Sequence, residues 1–193
     1  MEEESAPYSW GPRKLQETFG TDQLSDAFAT RFRTELNADD QAFISAQPFF
    51  FIATTDASGQ PQCSYKGGLP GFVRIPAANR LEFPSFDGNG MHLTTGNLIE
   101  NDRVGLLFID FEKKLRLRVE GRATLDLDRH DDDADLWIAI KVERAFGNCE
   151  RYIHDLRLTA TSEFVPQGDQ TAPEPTWKLR PWLRELLPKR PER

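Results

Sequence analysis

Two glycine-rich stretches hold the residue types best suited to chemistry. The first is Ser64-Tyr65-Lys66-Gly67-Gly68 within residues 62–75 (QCSYKGGLPGFVRI), where an otherwise strand-like segment is broken by glycine and proline. The second is residues 87–97 (DGNGMHLTTGN), a loop that runs into a helical pattern. A helix start presents free backbone N–H groups and the positive end of the helix dipole, so it favours an anion. Ser85, Asn89, Thr94, Thr95 and Asn97 add side-chain donors there, Gly90 adds backbone freedom, and Lys66 adds charge from the neighbouring strand. Such residues suit a phosphate-bearing ligand. They equally suit two flexible loops and a surface lysine, and spacing alone does not separate these readings. Lys114, Arg116 and Arg118 alternate along a later strand pattern. They form either a solvated face that discourages edge pairing or a set of cations aimed at a phosphate or a subunit interface.

No protein-borne catalytic set stands out. The sequence lacks a P-loop, a dinucleotide fingerprint, a zincin pair and a nucleophile elbow. His92, His130 and His154 are scattered. His130 precedes Asp131, Asp132 and Asp133, which read as a solvated turn more readily than as a metal site, and no metal is expected. Cys149 in GNCERYIH could pair with His154 as a nucleophile, but a lone cysteine is more often a small apolar group. Any redox chemistry therefore has to come from a cofactor.

The elements that must position these residues follow from periodicity. Residues 1–22 read as an acidic, mobile arm. Leu24, Ala27, Phe28 and Phe32 make one helical stripe, and Asn37 or Asp39 caps a second helix that Pro48 ends. PFFFIATTD and the segment into Ser64 form a hairpin around DASGQ; GFVRI and RLEFP form another pair. Residues 94–100 read as a short helix. VGLLFIDF, KLRLRVEGRATL and WIAIKVERAF supply further strands. Six or seven closely spaced strands with few helices predict a mainly β (α+β) chain, a small antiparallel barrel spanning residues 23–160. Residues 161–193 form a proline-rich tail expected to dock on the barrel, and Trp10, Trp177 and Trp182 are expected to dock or act as a lid. The net charge of −7 argues against nucleic acid as a partner. Two cysteines, no leader-like start and no apolar run of spanning length predict a soluble, cytoplasmic protein without membrane contact.

FFFIATTDASGQPQCSYKGGLPGFVRI, RLEFPSFDGNGMHLTTGNLIENDRVGLLFIDF, LRLRVEGRA and GNCERYIH, in that order, resemble the pyridoxamine 5'-phosphate oxidase-related flavin-binding split-barrel proteins. The resemblance covers roughly residues 48–154. It implies a six-stranded antiparallel split β-barrel with N-terminal helices and a short crossover helix, and a homodimer with FMN at its interface. It implies that Cys63, Ser64, Tyr65 and Lys66 line the flavin, with Gly67 and Gly68 allowing close approach, and that Phe83, Pro84 and Ser85 form a second contacting strand end. Asn89, Gly90, Thr94, Thr95 and Asn97 would hold the phosphate, and Arg116 or Arg118 would approach across the interface. Ser64-Tyr65-Lys66-Gly67-Gly68 stands where pyridoxamine phosphate oxidases carry an arginine-rich strand ending in lysine, and their C-terminal Arg/His pattern is not recognisable in TWKLRPWLRELLPKR. The implied function is an FMN-dependent oxidoreductase acting on another small molecule. The alternatives are a flavin-binding sensor or store without turnover, or a barrel holding haem, with His92 or His154 as axial ligand, or a deazaflavin.

Overall fold

The computed structural model describes residues 6–131, 134–167 and 172–187. Three helices lead the chain: α1 (Trp10–Thr18), α2 (Asp22–Ala29) and α3 (Ala38–Ala46). The segment expected to be a loose arm thus contains a two-turn helix. The start of α3 is set by Asn37, whose side chain accepts the Asp40 N–H at 2.8 Å while the Asp40 carboxylate accepts the Asn37 N–H at 3.1 Å. The same carboxylate takes Arg33 through two bonds of 3.0 and 2.8 Å, tying the chain before α3 to its first turn.

The strands are β1 (Phe49–Thr55), β2 (Pro61–Gly67), β3 (Arg74–Ala77), β4 (Arg80–Phe86), β5 (Arg103–Asp110), β6 (Leu115–Asp126) and β7 (Ala134–Gly147), with α4 (Leu93–Glu100) between β4 and β5. That is seven, one more than the resemblance implies. The β1–β2 turn is closed by Asp56, whose Oδ1 accepts from the Ser58 N–H, the Ser58 hydroxyl and the Gln60 N–H. All pairs are antiparallel, in the order β2-β1-β5-β6-β7-β4-β3. The sheet does not close through its edges, yet it curls around one core. Phe50 of β1 and Phe83 of β4 are fully buried with ring centroids 4.9 Å apart, although β5, β6 and β7 lie between their strands. Phe108 of β5 completes the aromatic centre at 5.0 Å from Phe50. This is a mainly β, split-barrel architecture.

Glycine is required where β6 is bulged. A Cβ on Gly121 would lie 2.1 Å from the Lys141 carbonyl oxygen, closer than any side chain tolerates.

The helical stripe expected before the barrel does not enter its core: Leu24 and Phe28 are more than half exposed. Phe32 does dock, 4.8 Å from the Phe146 ring, beside the Arg33–Ala145 backbone bridge. After β7, a short 3-10 turn (Thr176–Leu179) and α5 (Pro181–Arg184) make up the described tail. The Lys178 ammonium pairs with the Asp87 carboxylate, so the tail is pinned beside the loop before α4. Trp10 and Trp182 stay exposed rather than docked. Among the described residues no helix is long and apolar enough to cross a membrane.

Candidate functional site

Strand alternation decides which side chains of β2 face inward. Gln62, Ser64 and Lys66 share one face and line a cavity of about 420 Å³. Ser85 and Phe86 at the end of β4 form the second wall, followed by the loop residues Gly88, Asn89 and Gly90. His92, Thr94 and Thr95, at the start of α4, form the third. Asp135 and Leu136 arrive from β7 because the β4–β7 register places Leu136 opposite Ser85.

The first turn of α4 has no side-chain cap: His92 occupies the cap position in a left-handed conformation, φ 50°, and its imidazole bonds no helical N–H. The opening N–H groups of α4 are therefore left for water or a ligand. Lys66 lies partly buried in the opposite wall. Burial pushes its pKa down, and among the described residues no carboxylate pairs with it. An unpaired ammonium and an uncapped helix start share one cavity, and both favour an anion. The Oε1 of Gln62 is buried in the same wall without a partner, an acceptor suited to a ligand N–H.

The structure sorts the expected residues. Ser64, Tyr65, Lys66, Ser85, Asn89, Gly90, Thr94 and Thr95 come together around this cavity. Cys63 sits on the opposite face of β2 and is exposed. Phe83 belongs to the core, and Pro84 beside it is buried. Asn97 donates its side-chain N–H to the Thr54 hydroxyl at 3.0 Å, holding α4 on β1, and does not line the cavity. Arg116 and Arg118 line a separate cavity and do not meet Lys66 within the chain. The glycine pair has an internal reason. A Cβ on Gly68 would fall 2.4 Å from Cγ of Phe72, and one on Gly67 would strike the Tyr65 ring at 2.7 Å. Gly68 makes room for a core phenylalanine, and Gly67 does not line the cavity.

Gln62 and Asp135 also line the cavity, in addition to the residues expected from sequence. Strict alternation from Ser64 and Lys66 points to Gln62; Asp135 is seventy residues away and carries no local signal. Two residues beyond Asp135, the Trp137 ring is met by two guanidinium groups, Arg129 at 3.7 Å and Arg74 at 4.4 Å from its centroid. These cation–π contacts lie on β7 just beyond Asp135 and Leu136, which line the cavity. His130 Nδ1 lies 2.9 Å from the Asp135 carbonyl oxygen; Asp132 and Asp133 fall outside the described residues. Among the described residues no cluster of three or more His, Cys, Asp or Glu side chains is placed to hold a metal.

Three solved structures illustrate what the chain is similar to. HupZ of Group A Streptococcus is 22% identical over 58% of this chain and 93% of its own, with a TM-score of 0.48. A putative pyridoxamine 5'-phosphate oxidase of Lactobacillus delbrueckii is 18% identical over 59% and 95%, TM-score 0.48. The haem storage protein HutZ of Vibrio cholerae is 15% identical over 58% and 94%, TM-score 0.40. Likeness at this level does not decide a ligand. No curated protein matches the sequence. The family pattern for pyridoxamine 5'-phosphate oxidase matches residues 36–178, from the residue before Asn37 to the lysine that pins the tail. That span holds every strand and the whole cavity, so the chain belongs to the pyridoxamine 5'-phosphate oxidase family.

Proposed function

We propose that the chain binds FMN at the Lys66 cavity and acts as a flavin-dependent oxidoreductase on a small molecule. The observation that carries this is the unpaired Lys66 ammonium sharing a cavity with the uncapped start of α4. Family membership supports it. The donor set fits the phosphate end of a flavin: one ammonium, backbone N–H groups, and the hydroxyls of Ser64 and Ser85. The partnerless Gln62 oxygen fits the imide N–H of its ring. When bound, the flavin supplies hydride transfer that none of these side chains could perform. The chain itself binds, orients and neutralises charge. No nucleophile or acid–base pair of its own is assigned.

The reading includes a homodimer. Tyr65, next to Lys66, stacks on Phe49 at 5.3 Å, and Phe49 stacks on Phe111 at 6.2 Å, on the outer face of the sheet. Tyr65 is 60% exposed there, so the face carries apolar surface that a second copy would cover. Light scattering with FMN present reads the mass; a monomer contradicts this part.

The first test is the visible spectrum of purified protein after incubation with FMN and desalting. Retained oxidised-flavin bands, bleached by a reduced nicotinamide or another donor and restored by an acceptor, support the enzyme. A retained flavin inert to every reductant supports a binding module instead. A protein that retains no flavin removes the proposal. One observation favours haem as the second reading: His92 lines the cavity, while His154 does not. A Soret band lost in His92→Ala would establish it.

A further inference from the structure

The loop that walls the Lys66 cavity carries a chemistry of its own. Of the chain's asparagines, Asn89 alone precedes glycine. The Asn89–Gly90 pair is exposed, lies between β4 and α4 outside any helix or strand, and lines the cavity. Gly90 has φ 76°, a backbone conformation that favours glycine. The turn therefore calls for the one residue that puts no side chain between its own backbone nitrogen and the asparagine before it. The Gly90 N–H makes no hydrogen bond among the described residues. The Asn89 side-chain oxygen accepts the Met91 N–H at 3.1 Å, which folds the side-chain amide back over the Gly90 peptide. A Cβ built on Gly90 would meet nothing within 4 Å, so the loop has open space in which to rearrange.

We propose that Asn89 is a self-modifying site: its amide converts to a carboxylate, and the new charge weakens anion binding in the cavity beside it. The Gly90 nitrogen loses its proton and bonds to Cγ of Asn89. The bond from Cγ to the side-chain nitrogen breaks, and ammonia leaves with that proton. Water then opens the cyclic imide. Opening at Cγ leaves aspartate; opening at the backbone carbonyl leaves isoaspartate, whose main chain runs through Cβ. Water is the only co-reactant, and nothing is oxidised or reduced. Either product adds a negative charge to a cavity shared with Lys66 and the uncapped start of α4, the two features that favour an anion. The change runs one way, so affinity for a phosphate-bearing ligand falls with the age of the molecule. This consequence rests on the flavin reading of the cavity; the conversion itself does not. Asp87–Gly88, just before, can close the same ring, but its carboxylate is paired with Lys178 and its isomerisation changes no mass.

The test holds the purified protein at physiological temperature and mildly alkaline pH and follows its peptides by mass spectrometry over days. The tryptic peptide from Leu81 to Arg103 should gain the mass of one amide-to-acid conversion. Fragment spectra should place the gain at Asn89, leaving Asn97 and Asn101, which are hydrogen-bonded to β1, unconverted. Titration of the converted sample should show FMN bound about ten-fold more weakly, and riboflavin, which lacks the phosphate, bound as before. Asn89→Asp should show the same loss at once. Asn89→Gln, whose longer side chain closes such a ring far more slowly, should gain no mass and hold its own starting affinity through the same incubation. Conversion of Asn89 no faster than that of Asn97 and Asn101 would overturn the proposal. So would a converted sample that binds FMN as tightly as the fresh one, or that loses riboflavin equally. A fresh protein that binds no FMN would remove the flavin function and the consequence drawn from it, while the mass gain would still decide the conversion.

Discussion

Thr94 donates its hydroxyl to the Ser64 hydroxyl at 3.1 Å, joining the first turn of α4 to the middle of β2. Two more side-chain bonds repeat the contact along the helix: Asn97 to Thr54 at 3.0 Å and Asn101 to Thr55 at 2.7 Å. Together they fix α4 along the β1–β2 hairpin. Lys66 lies one inward step beyond Ser64, so the ammonium and the helix start are held in a fixed relation before any ligand arrives.

Replacing Lys66 with alanine should weaken FMN binding about ten-fold or more, because a charge-assisted phosphate contact contributes roughly 1.5–3 kcal/mol. Fluorescence titration of the flavin gives the dissociation constant. Lys66→Arg should restore part of the loss, and an unchanged constant for the alanine variant would exclude Lys66 from the site.

The pH dependence follows from the same residue. Burial holds the free Lys66 below its ordinary value of 10.5. A bound anion favours the ammonium and raises that value. Affinity should therefore be constant at neutral pH and fall as pH climbs from the lowered pKa of the free protein towards that of the complex. For the ligand-free fold the sign is opposite: the folded state holds its proton less tightly than the unfolded one, so stability gains as pH rises between the two values. Titrations between neutral pH and the ordinary lysine range, with Lys66→Met as control, should show both slopes vanish in the variant.

Gly121→Ala should destabilise the fold by about 3 kcal/mol, because its Cβ meets backbone that cannot move without breaking the β6–β7 ladder. Gly147→Ala, whose Cβ would find its nearest neighbour at 3.9 Å, serves as the control and should stay near neutral. Urea midpoints compare the two; equal midpoints would contradict the bulge argument.

Cys149 should react faster with iodoacetamide at neutral pH than a model thiol of similar exposure. Its sulfur accepts the Arg151 backbone N–H at 3.4 Å and the Arg151 side chain at 3.3 Å, and Arg116 adds positive charge, so its pKa is lowered. More thiolate is then present at pH 7. Arg151→Met should shift the rate–pH profile upward in pH; an unmoved profile would show that the arginine does not set it.

Much of this was legible before the fold was known. Asn37 announces α3 by its own side chain, and each strand announces itself by alternation or by an apolar run. The loop before α4 is legible as one wall of a cavity because its glycines, asparagine and threonines lie close together in sequence. Other features depend on chain neighbours that sequence does not identify. Gly68 looks like a cofactor contact until Phe72 is seen filling the space where its Cβ would be. Cys63 and Lys66 are three residues apart, so alternation puts them on opposite faces, a signal present but outweighed by the run they share. Asp135 enters only through the β4–β7 register. Arg116 and Arg118 read as flavin ligands or surface charges; that they also line a cavity roofed by Tyr8 and Phe28 depends on how the N-terminal helices fold back.

The strand order also constrains how the molecule is made. β1 pairs with β5 and β4 with β7, each partner arriving about fifty residues later in synthesis. On the ribosome the first four strands emerge as two isolated hairpins with their phenylalanines uncovered, and they must wait for the last strand before Phe50 and Phe83 can be enclosed together. Nascent chains stalled before residue 134 should be chaperone clients, and release of the chaperone should coincide with the exit of β7 from the tunnel.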